Sequence, residues 1–436
     1  MDRLLEIPVF VRLAGLALFG FVLGGQLNRG IYRLAWNPRH VGPWSPPLPE
    51  APRRSAWDRV PLLGWFLLRR ESPLHGRGYW VRPLLIELAT GFGLAWLYYF
   101  EVIRGSLLPP EWPPGVPADA AVLHAGYLSH VLLVALMIVA TFIDFDEQTI
   151  PDEITLPGTL AGLLLAGLLP ASRPVVMVAS GYSDRWQPVF ESLHLATPLA
   201  WPAWLNGRWG LALGLAAFVA WWLAVLPWTW TLRRGVCKAI GYAWTSVARR
   251  LSIVLVALGA TGVAVVSLVW LWGGSHWEGL FSALVGMVFG GGLIWSVRIV
   301  GTFALRQEAM GFGDVTLMAM IGAFIGWQGT LIVFFLAPFA AVLISVTQWV
   351  LTRRKDIAFG PYLCLGALFL ILRWPRIWSK YASDMFSLGW FIPAIVVACL
   401  GLMGGMLIGL RTVRESFSRY DEPDEETPGE DVPPSG

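Results

Sequence analysis

Long apolar runs recur along the chain, separated by polar connections rich in Pro, Gly and Trp. A helix rises about 1.5 Å per residue, so roughly 20 apolar residues cross the hydrocarbon of a bilayer. By that measure candidate spans lie near 13–34, 83–103, 127–143, 154–170, 209–231, 251–273, 279–304, 315–327, 329–352, 357–374 and 389–411. The run 315–327 is short, which predicts either a half-helix or one limb of a hairpin completed after Gln328. The expected fold class is an all-α polytopic membrane protein, a bundle of roughly 10–11 transmembrane helices.

The basic residues sharpen this outline. The connection 35–82 holds Arg39, Arg53, Arg54, Arg59, Arg69, Arg70, Arg77 and Arg82 against Glu50, Asp58 and Glu71. Arg233, Arg234, Lys238, Arg249 and Arg250 mark a second basic connection, and Arg353, Arg354 and Lys355 a third. The stretches 104–126 and 171–208 are poor in Lys and Arg. Since Lys and Arg stay on the cytoplasmic side, the N-terminus is expected outside. An Arg-rich cytoplasmic loop then follows the first helix, and the C-terminus is cytoplasmic. The expected divisions are a first span (1–34), the loop (35–82), a transmembrane part (83–170), a long middle stretch (171–300), a second transmembrane part (301–411) and an acidic tail (412–436). That tail is rich in Pro with almost nothing apolar, which predicts disorder.

Composition narrows the function classes. The chain is 56% hydrophobic and 14% charged with mean hydropathy +0.60, whereas a soluble domain carries about a quarter charged residues. The lipid bilayer is the first partner implied. A formal charge of +3 is too small to suggest nucleic acid. Cys237, Cys364 and Cys399 form no CxxC pair, so neither a disulfide framework nor a four-thiolate zinc site is expected. The histidines lack ligand spacing and read as structural. The first apolar run has no small-residue cleavage site before its basic flank, so it is expected to be retained.

Two acids stand out against this background. Asp144 closes the run Val131–Ile143, and Asp314 follows Gly311-Phe312-Gly313 at the head of another. A carboxylate at the edge of hydrocarbon costs on the order of 2–3 kcal/mol, so such residues are functional candidates. The first block, Asp144-Phe145-Asp146-Glu147-Gln148-Thr149-Ile150-Pro151-Asp152, places a polar turn between two spans, with Pro151 restarting the next helix. In the second, paired glycines let a carboxylate be presented at a broken helix end. Each block alone is equally consistent with a solvated connection or with close helix packing. Both fall on the predicted cytoplasmic side. Two carboxyls held together cannot both ionise, so one would keep a proton while the other deprotonates a water.

At this point the chain resembles the type IV prepilin peptidases, the prepilin leader peptidase/N-methyltransferase family of GxGD-type membrane aspartic peptidases. The resemblance runs through Gly20–Asn28 with Ile31-Tyr32-Arg33-Leu34, Val60–Trp65 with Tyr79–Leu88, Ile143–Asp152, Gly311–Asp314 and Phe359-Gly360-Pro361-Tyr362-Leu363. It implies Asp144 and Asp314 as the catalytic pair, with Asp146 and Asp152 as second choices and Gly311 and Gly313 supporting. The implied substrate is a prepilin or pseudopilin precursor whose leader is cut at the cytoplasmic face of the inner (plasma) membrane. No cofactor is implied for proteolysis, and S-adenosylmethionine only if the new N-terminus is also methylated.

The chain departs from the family pattern in three ways. No CxxC pair lies between Trp36 and Trp80, so a zinc-stabilised subdomain is absent or rebuilt and no zinc is expected. Thr316 stands where the family usually has Lys. The stretch 171–300 is longer than a family connection and adds spans. Further candidates are Asn28 and Arg33 for positioning substrate, Glu87 for helix packing or a substrate or methyl-donor role, and Glu308 for tuning the glycine turn. A family member without catalysis that serves in pilus or secretion assembly, or a proton- or ion-coupled transporter using the same acids, stays open at this stage.

Overall fold

The computed structural model describes residues 6–113, 116, 118–180, 187–226, 253–307, 310–352, 358–389 and 391–420. The long helices are α1 (Val9–Leu34), α2 (Val81–Tyr98), α3 (Ala120–Glu147), α4 (Asp152–Leu168), α5 (Arg208–Val225), α6 (Ile253–Trp272), α7 (Gly274–Leu305), α8 (Phe312–Thr352), α9 (Gly360–Ile377) and α10 (Phe391–Tyr420). Eight described helices are long and apolar enough to cross a membrane, so the chain is a multi-pass membrane protein.

The chain divides into two compact units. The larger comprises 1–294 with 312–389 and holds every element of the candidate site. In the smaller, 295–311 with 390–436, the side of α10 at Gly404 meets Val300 of α7 and Arg411 donates to the Ala304 carbonyl at 3.0 Å. The backbone of α10 stays helical through Tyr420, so the expected disordered tail does not begin at 412. The stretch Arg411–Tyr420 is dominated by residues compatible with helix, and neither Gly nor Pro interrupts it. Residues 421–436 lie outside the described residues.

Within the larger unit, α1 and α2 approach backbone to backbone. A Cβ at Gly20 would lie 2.7 Å from the Gly91 Cα, and one at Gly24 the same distance from the Glu87 Cα. Small residues permit this contact where no hydrophobic force drives helices together. The short-run hairpin expectation is met in α8, whose backbone breaks at Gly326 with φ 75°. A Cβ at Gly322 would sit 3.1 Å from Thr330 Oγ1, although eight residues of continuous helix would separate them by about 12 Å. The chain therefore doubles back at Gly326.

What clamps that reversal is the segment after α4. It includes an antiparallel hairpin, β1 (Val175–Ser180) with β2 (Gln187–Ser192), a small addition to an otherwise helical chain. The run Val175–Ala179 is too short for a span and rich in β-branched residues. Gln328 donates to the His194 carbonyl at 2.8 Å and Trp327 to the Leu195 carbonyl at 2.8 Å. Arg173, buried, donates to the Leu193 carbonyl at 2.6 Å. Burial lowers the Arg173 guanidinium to about 10, and burial with Arg173 lowers the His194 imidazole to about 4. His194 is thus a neutral structural side chain. An apolar core around Leu163, Phe218, Trp277, Phe281 and Leu284 fills the space among α4, α5 and α7.

The loop 35–82 is folded without cysteines. Glu71 receives two hydrogen bonds from Arg54 at 2.8 and 2.7 Å, and Arg54 also donates to the carbonyls of Gly42 and Ser45 at 2.9 and 2.8 Å. Asp58 accepts from Arg70 at 2.7 Å and from the Ser55 backbone at 2.6 Å. Ion pairs hold the loop where thiolates and a metal were the alternative.

Candidate active site

Asp144 occupies the last turn of α3. Its apolar run carries the helix to the bundle edge, and Gln148 (φ 54°) ends it by donating back to the Asp144 carbonyl at 2.9 Å. Pro151 then precedes α4 as its cap residue. Between the helices, Ile150 turns inward. It packs where a Gly313 Cβ would stand, at 2.9 Å, and its Cδ1 lies 2.8 Å from where a Gly360 Cβ would stand. A side chain at either glycine would displace Ile150, so the residue draws the start of α8 and the start of α9 onto the end of α3.

Asp314 is the third residue of α8 and Gly360 the first of α9. The two aspartates are 5% and 8% exposed, and Ile150 lies against both Gly313, next to Asp314, and Gly360, whose amide faces Asp144. The Gly360 backbone N–H donates to Asp144 Oδ2 at 3.1 Å. No Lys, Arg or His pairs with either carboxyl among the described residues. Two such groups in a poorly solvated site share a proton rather than ionise together. Thr316, in place of a cation, turns its hydroxyl back to the Gly313 carbonyl at 3.1 Å.

The remaining candidates separate from this pair. Asp146 is taken by Arg82, at 2.7 and 2.9 Å, with Arg39 at 3.8 Å. Asp152 is exposed at the start of α4, and Gly311 is exposed in the connection before α8. Gly313 is required by Ile150. Asn28 donates to the Pro83 carbonyl at 2.9 Å, joining α1 to α2. Arg33 is exposed at the end of α1. Glu87 accepts from the Leu62 backbone at 2.5 Å and the Trp65 indole at 2.8 Å and so anchors the Val60–Trp65 turn to α2. Glu308 lies outside the described residues.

Three contributors had no role of their own in the sequence reading. The Gly360 amide, the Ile150 wedge and Glu147, which accepts from the backbones of Trp36 and Asn37 at 2.6 and 3.1 Å, all act across long sequence separations. Only Gly360 left a signal, as a Gly-Pro at a helix start.

Comparison with known proteins bears on the same residues. The model of the type IV leader peptidase family matches residues 236–346, a stretch that includes Asp314 and begins inside the long middle region. The prepilin leader peptidase/N-methyltransferase of Aeromonas salmonicida (strain A449) is 30% identical over 236 residues, 47% of this chain and 71% of that protein. The protein of that name from Klebsiella pneumoniae is 32% identical over 179 residues, 40% and 68% of the two chains. The one from Neisseria gonorrhoeae is 32% identical over 180 residues, 39% and 52%. No solved structure matches the chain.

Proposed function

Since the chain belongs to the prepilin leader peptidase/N-methyltransferase family, we propose that Asp144 and Asp314 form the catalytic dyad of a membrane-embedded aspartic endopeptidase. It removes the leader from type IV prepilin-like or pseudopilin precursors. The observation that carries this reading is the convergence of two buried acids from distant helices around Ile150, with no Lys, Arg or His paired to either among the described residues.

The roles follow from the one hydrogen bond. An N–H donor stabilises a carboxylate and offers nothing to a carboxyl proton, so Asp144, facing the Gly360 amide, carries the charge. Asp314 carries the shared proton. Asp144 takes a proton from water as the water oxygen attacks the scissile carbonyl carbon, and Asp314 hydrogen-bonds the developing oxyanion. When the C–N bond breaks, the proton gained by Asp144 passes to the leaving amine. No covalent intermediate is needed. The basic loop 35–82 and the dyad lie at the same ends of α2 and α3 through Arg82 and Asp146, which supports an active site facing the cytoplasm at the inner membrane.

S-adenosylmethionine, the methyl donor that the family name implies, finds no matching charge in the cavity between the end of α1 and the turn 38–46. That cavity is lined by arginines and no carboxylate among the described residues, which suits neither a sulfonium cation nor its ammonium group. No methyl-transfer step is assigned to these residues.

The test is to co-express the chain with a pilin-like precursor and weigh the mature N-terminus. Loss of the leader is expected, and a further mass of about 14 Da, one CH₂, would report methylation. An unprocessed precursor beside correctly inserted protein would refute the reading.

A further inference from the structure

The cavity just described is built rather than incidental. It measures ≈ 320 Å³ and lies between the end of α1 and the turn 38–46, with Arg29, Arg33, Arg39, His40, Tyr32 and Trp65 among its lining residues. Its walls are fixed from behind. Arg54, neutralised by Glu71, holds the carbonyls of Gly42 and Ser45. Glu87 holds the Trp65 indole at 2.8 Å, and the Arg39 backbone donates to the Tyr32 carbonyl at 2.9 Å.

Inside, the charges are left unmatched. Arg29 and Arg33 stand one helical turn apart on α1 and have no ion-pair partner among the described residues. Arg39 reaches Asp146 only at 3.8 Å, with its side chain half exposed. Arginines at a span end often serve only as positive-inside anchors. Anchors, however, need no preformed cavity braced from behind.

We propose that this cavity binds the phosphate group of an anionic phospholipid headgroup. Guanidinium groups bind phosphate oxygens in bidentate fashion. The end of a transmembrane helix sets the site at headgroup depth, where anionic lipid concentrates on the cytoplasmic leaflet.

The test uses the full-length chain in phosphatidylcholine nanodiscs with and without phosphatidylglycerol, and in detergent with inorganic phosphate. Lipid retention is read by native mass spectrometry. Wild type is expected to retain phosphatidylglycerol over phosphatidylcholine. The pair Arg29→Gln with Arg33→Gln should weaken phosphatidylglycerol retention by about tenfold or more, since each basic side chain at an anionic surface is worth roughly fivefold. Arg29→Lys with Arg33→Lys should restore most of it. The control pair Arg69→Gln with Arg77→Gln, which removes equal charge from the adjoining loop outside the cavity, should weaken retention clearly less than the cavity pair. Competition by inorganic phosphate would show that the phosphate alone suffices, and its failure would assign the site to lipid. Equal retention of both lipids by wild type, equal retention of phosphatidylglycerol by wild type and the Gln pair, or equal loss in the control pair, would overturn the proposal.

Discussion

Asp58 and Glu71, in the loop after the first helix, are 0% and 1% exposed, at least as buried as Asp144 and Asp314 at 5% and 8%. Their surroundings are opposite. Each loop acid faces a guanidinium at 2.7 Å, Glu87 takes an amide and an indole, and Glu101 meets His130 at 2.9 Å. Asp144 accepts one backbone amide, and no Lys, Arg or His pairs with it or with Asp314 among the described residues. Burial by itself therefore does not mark chemistry. A buried acid with its charge matched is part of the architecture. A buried acid with no cation beside it carries a cost that a functional role would explain.

The difference can be broken most directly at the dyad. Asp144→Asn and Asp314→Asn should each reduce precursor cleavage by about 10³-fold while the melting transition in detergent stays at or above the wild-type value. Wild-type processing by either variant, read by mass spectrometry, would erase the distinction. A smaller effect, and of the other kind, is expected in the loop. Glu71→Ala leaves the Arg54 guanidinium buried without a counter-ion and should cost about 3 kcal/mol of stability. The assay is denaturant or thermal unfolding, and cleavage per folded molecule should change little. Cleavage lost with stability retained would mean that the loop acids are not merely architectural.

Gly360→Ala sharpens the assignment within the pair. Its Cβ would come 2.6 Å from Asp144 Oδ2, so the carboxylate must move off the amide. A drop of about tenfold in kcat with KM nearly unchanged is expected, the pattern of a group that acts on the transition state rather than on binding. An unchanged kcat would remove the amide from the mechanism.

Much of this was legible beforehand, for a definite reason. Crossing a bilayer requires local runs of apolar residues, so hydropathy located most of the long helices before any packing was known. The same locality exposed Asp144 and Asp314 as acids at the rims of apolar segments, and even the odd length of 315–327, which became the limb before the reversal at Gly326. Tertiary structure alone decided that Asp146 belongs to Arg82, that Glu87 holds a turn, that Ile150 draws α8 and α9 onto the end of α3, and that the Gly360 amide points at one aspartate and not the other. Partners of that kind come from helices far apart in sequence, and only the packing of their small-residue faces settles which atoms meet. A linear pattern can show that a charge is costly where it stands; what offsets the cost is fixed only when the chain has closed around it.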